Sequence, residues 1–85
     1  MSVVETRAQL NRAKEALDKA IQAFAKAGQH YAEAAAAIAA VGSGSSHAEP
    51  NSASSKLRQA ESGTETAIAY SQNTNASIDA YSVVL

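Results

Sequence analysis

Six residues spaced seven apart run through the first half of the chain: Val3, Leu10, Leu17, Phe24, Tyr31 and Ile38. Three places further on, a second row reads Thr6, Ala13, Ala20, Ala27, Ala34 and Val41. Apolar positions alternating by three and four mark a helix with one narrow seam turned to a partner helix. One row of this seam is large and the other almost all alanine, a combination that lets two backbones approach closely. The pattern predicts a long helix over residues 2–41. Ser2 and Glu5 stand at capping-box spacing at its start. Alanine, leucine, glutamate, lysine, arginine and glutamine, all strong helix formers, fill the rest. Gly28 is the weak point, costing about 1 kcal/mol relative to alanine. It either admits a neighbouring backbone or is a tolerated surface glycine.

Gly42-Ser43-Gly44-Ser45-Ser46 should end this helix, with Gly42 or Gly44 in a left-handed cap. The linker is expected over residues 42–50, with Pro50 at the start of a second helix, where proline is tolerated. Ser46 and Asn51 are both candidate N-caps. The second helix, residues 51–82, keeps a seam of Leu57, Ala60, Thr64, Ala67 with Ile68, Ser71, Thr74 with Asn75, Ile78 and Tyr81. Its middle is polar, and Gly63 and Ser71-Gln72-Asn73-Thr74-Asn75 are poor helix material. Packing has to hold it. The expected fold is therefore all-α: an antiparallel two-helix hairpin with an alanine-rich heptad seam, its arms roughly 50–60 Å long at 1.5 Å per residue. A further strip on the first helix, Ile21, Ala25, Gly28, Ala32, Ala35 and Ala39, is open to a second hairpin that would complete a four-helix bundle, or simply to water.

Composition makes pairing more pressing. The chain has 85 residues, enough for a single domain, and is 46% hydrophobic, but much of that share is alanine. Few large side chains stand against an ordering cost of about 1.5 kcal/mol per residue. Cysteine is absent, so neither a disulfide nor a thiolate site relieves the shortage. Oligomerisation is the remaining remedy. The formal net charge of −1, with both signs mixed, provides no basic footprint for nucleic acid or for anionic lipid. Residues 1–20 lack the continuous apolar core of a signal peptide, and the apolar stretch 32–41 is too short to span a membrane. Synthesis in the cytoplasm is expected, with any export proceeding without a conventional signal.

Chemistry finds little to work with. His30 and His47 are the only histidines, and His30 with Glu33 is too sparse a set for a metal. Glu15 and Asp18 pair with Lys19 and Lys14 as a solvated face, and no serine has a base beside it. Gly42-Ser43-Gly44 follows a helix rather than a strand and lacks a P-loop lysine. No catalytic, cofactor or metal site is expected, and the chain reads as a non-enzymatic interaction module. Tyr70 and Tyr81, three helical turns apart, join Ile21 and Gly28 as candidate partner contacts, since tyrosine buries area at low entropic cost. The helix seam is expected to be made by Leu10, Ala13, Leu17, Ala20, Phe24, Ala27, Tyr31, Ile38, Leu57, Ile68 and Ile78. The partner is a second copy or another protein. A structural subunit of a repeating assembly, such as a filament or phage particle, is the alternative role.

Two long helices in a short chain, with a glycine-containing bend near residue 42, resemble the WXG100 (ESAT-6-like) family in shape. Where that family has Trp-x-Gly, this chain reads Val41-Gly42-Ser43-Gly44, and tryptophan is absent. Where it has Tyr-x-x-x-Asp/Glu, Tyr70 is followed by Thr74 and Tyr81 by Leu85. The resemblance implies hairpins that pair as four-helix bundles and leave actinobacteria and other Gram-positive bacteria by type VII secretion, some as partners of secreted toxins. It carries over no site residue.

Overall fold

The computed structural model describes residues 1–85 as two helices, α1 (Val3–Gly42) and α2 (Glu49–Val84), packed against each other along their length. The molecule is a rod of 64 × 15 × 15 Å. The Ser2 side chain caps α1, its Oγ accepting from the Glu5 backbone N–H at 3.1 Å. No residue, glycine included, has positive φ, so neither Gly42 nor Gly44 forms the expected left-handed cap. The helix tightens instead: Gly44 N–H donates to Val41 O and Ser45 N–H to Gly42 O, at 3.3 and 3.1 Å. Such i to i+3 bonds satisfy end carbonyls without a left-handed residue. At the start of α2 neither Ser46 nor Asn51 caps. Ala48 occupies the N-cap with no side-chain bond, and Pro50 sits in the first turn.

The two helices run antiparallel in a fixed register. Facing residue numbers add to 92 or 93: Gly28 meets Thr64, Gly42 meets Pro50 and Asn51, Lys14 donates to Asp79, and Asn75 donates to Asp18. Ser54 Oγ also crosses to Ala35 O at 3.3 Å.

The contact face of α1 is rotated from the expected one. Ala35 and Gly42 are buried, and Lys14, Ile21 and Gly28, each seven residues apart in the same row, are half-buried. This row lies four residues after the large row, not three. The three-residue row is the more open one: Ala13 and Ala34 are exposed, Val41 is 61% exposed, and Ala20 and Ala27 are only half-buried. Size explains the choice. A Cβ on Gly28 would lie 2.8 Å from Thr64 Oγ1, and one on Gly42 would lie 2.8 Å from Asn51 Oδ1. The two glycines, with Ala35 midway between them, clear the groove in which α2 lies. Of the strip expected to await a second hairpin, Ile21, Gly28 and Ala35 thus turn to α2, while Ala25 and Ala39 remain exposed.

Helix α2 presents two matching rows, Leu57, Thr64, Ser71, Ile78 and Leu85, and Ser54, Glu61, Ile68, Asn75 and Ser82, all buried or half-buried. The polar middle survives there because its hydroxyls bond within their own helix. Thr64 donates to Glu61 O at 2.6 Å and Ser71 to Ala67 O at 2.8 Å. A hydroxyl satisfied by the preceding turn can be buried without the penalty of a lost bond. Asn75 is the exception. Its Nδ2 donates to Asp18 Oδ1 at 3.2 Å, yet its Oδ1 is buried with no partner. Removing such an orphan acceptor returns its desolvation cost, roughly 1–3 kcal/mol. Asn75→Leu should therefore raise the thermal midpoint, by about 4–8 °C per kcal/mol in a domain of this size. A melt lowered by this substitution would show that the amide is satisfied.

Candidate interaction surface

The side chains that fill the hairpin are incompletely covered by it. Only three of the 85 residues are buried, and no large side chain is fully buried. Phe24 and Tyr31, in the middle of the large row, are 36% and 38% exposed. The rest of that row splits: Leu10, Leu17 and Ile38 are half-buried, and Val3 is exposed. Leu57, Ile68 and Ile78 are half-buried against them from α2.

Helical geometry shows where the uncovered surface points. At about 100° per residue, the row three places after the large row lies some 60° round from it, away from α2. In an antiparallel pair of right-handed helices, the corresponding row of α2 comes to the same side. That row is Ala53, Ala60, Ala67, Thr74 and Tyr81, half-buried for the alanines and exposed beyond. One side of the rod is thus bounded by two small-residue rows, one per helix, with Phe24 and Tyr31 emerging between them. None of the four rows on this side contains Asp, Glu, Lys or Arg.

The other side is polar. Lys14 pairs there with Asp79, Asp18 with Asn75, and Arg58 with Glu61 at 3.2 Å. A shallow groove of about 260 Å³ opens on it, between Ala25, Gly28, Gln29 and Ala32 of α1 and Glu61, Thr64, Glu65 and Ile68 of α2. Thr64 Oγ1 in its wall is already spent on Glu61 O, and Glu61 on Arg58.

The other candidate positions fall around these two sides. Ile21 and Gly28, expected to meet a partner, lie in the row turned to α2, Gly28 directly beside Thr64. Ala13 stands outside that contact, because the rotation of α1 carries its row outward. Tyr70 and Tyr81 are 70% and 50% exposed, toward the uncharged edge of α2. His30 Nδ1 lies 3.5 Å from Glu33 Oε2 on open surface, and no three His, Asp or Glu side chains gather as metal ligands. No helix is long and apolar enough to cross a membrane. The row Ile21, Gly28, Ala35, Gly42 was the missed feature. Its signal was present: two glycines fourteen residues apart with alanine midway.

Comparison with protein-family models, with curated proteins and with solved structures returns no match. The likeness to WXG100 hairpins is one of shape alone.

Proposed function

We propose that this chain is a non-enzymatic docking module that binds helices of a protein partner through its uncharged side, the product being a four-helix bundle with an alanine-rich seam. One observation carries the reading: four adjoining rows along one side of the rod contain no Asp, Glu, Lys or Arg, and half-covered aromatic residues project among them. Exposed apolar surface of that extent marks a contact site. Alanine rows beside Phe24 and Tyr31 provide alternating small and large positions, the relief into which a second pair of helices packs. The shape shared with WXG100 hairpins extends the proposal to a small type VII-like secretion substrate or the accessory of a secreted toxin.

The test is a photo-crosslinking residue placed at Ala34 or Ala13 on the uncharged side, or at Ala36 on the opposite one, in the native host. Discrete one-to-one adducts from Ala34 and Ala13 but not from Ala36 are expected. Equal labelling from both sides would remove the docking reading. Ladders of adducts that lengthen with concentration would instead favour a structural subunit of a filament or phage particle. Recovery of the chain in the medium only when a secretion ATPase is intact would extend the reading to export.

A further inference from the structure

We infer that the occupant of the uncharged side is a second copy of this chain, docked face to face about a twofold axis; this rests on the reading of that side as a docking surface. Area is the first argument. The chain exposes 5875 Å², whereas a compact monomer of 8.7 kDa exposes about 4,700 Å². The excess of roughly 1,100 Å² is more than the ~800 Å² that each partner contributes to a stable interface. A side 64 Å long and 15 Å wide is large enough to supply it.

Charge is the second argument. In a twofold contact each patch meets its own copy, so any charge near the axis meets a like charge. A surface meant for a different protein usually carries charges that choose and orient that partner. Here the contact rows hold no Asp, Glu, Lys or Arg, and Lys56 stands only at their rim, in the row of Tyr70. Such a surface is compatible with itself. Relief is likewise self-complementary: Phe24 and Tyr31 of one copy have the alanine rows of the other to enter, Ala20 and Ala27 on α1 and Ala60 and Ala67 on α2.

The experiment is sedimentation equilibrium of the full chain up to roughly 100 μM, with helicity followed by circular dichroism. Ala13→Glu and Ala34→Glu change the uncharged side at exposed positions that the hairpin does not use, so the fold itself tolerates them. Ala36→Glu and Ala69→Glu are the controls on the opposite side. The wild type should be a discrete dimer, and each uncharged-side variant should raise its dissociation constant on the order of 100-fold, since both copies carry the charge. The controls should stay within about 3-fold. A folded monomer over the whole range overturns self-pairing and leaves the docking reading to the crosslinks. A dimer broken by the controls and indifferent to Ala34→Glu overturns both. Open-ended polymers also overturn the closed pair.

Discussion

Leu17→Asp is expected to remove most of the hairpin's stability. Leu17 is half-buried, next in sequence to Asp18, which accepts from Asn75 across the helix contact. The substitution discards the apolar contact and sets a carboxylate in the half-buried seam, one residue from Asp18, which already uses the Asn75 amide. A loss of about 3 kcal/mol follows from partial burial of an unpaired charge. A domain of this length holds roughly 5 kcal/mol, so the variant should retain only about 2 kcal/mol at ambient temperature. The midpoint measured at 222 nm should fall by about 15 °C. Lys19→Ala, on the solvated back of α1, should shift stability by no more than about 0.5 kcal/mol. Equal melts for these two variants would place Leu17 outside the contact.

The second large effect is a contrast between two glycines. Gly63 of α2 has nothing within 4 Å of a built Cβ, so Gly63→Ala should stabilise by about 1 kcal/mol through helix propensity alone. At Gly28 the same gain is opposed by Thr64 Oγ1 at 2.8 Å, a hydroxyl already held by Glu61 O. Gly28→Ala should therefore be close to neutral. Gly28→Leu should destabilise by roughly 1–3 kcal/mol, because α2 must move to admit the larger side chain. Thr64→Ala separates clash from propensity. In that background Gly28→Ala should recover the full gain, giving a coupling of about 1 kcal/mol in a double-mutant cycle. Additive changes would mean that the two residues do not touch, and the register between the helices would have to be redrawn.

Two long helices, their approximate limits and their antiparallel pairing were legible along the chain. Seven-residue spacing requires a helical seam, and the Gly/Ser segment followed by Pro50 requires a break and a restart. The Ser2 cap was equally readable, because its bond to Glu5 is local. The caps at the bend were not. Whether Gly42 turns left-handed depends on how closely α2 returns, and here Pro50 and Asn51 crowd it while φ stays negative.

What only the tertiary structure decided is the rotation of α1 about its own axis. The large row Leu10, Leu17, Phe24, Tyr31, Ile38 is flanked by a row three residues on and a row four residues on, and either makes a seam of the same period. Periodicity fixes the spacing of a contact but carries no information on which flank it takes. That choice belongs to the opposing helix. Thr64, Asn51 and Pro50 need the space left by Gly28 and Gly42, and the polar rows of α2 prefer the flank bearing Lys14, near Asp79, to a flank of methyl groups. The four-residue row is consumed inside the hairpin. The alanine row, the more conspicuous of the two along the chain, is left on the outside together with the open edges of Phe24 and Tyr31.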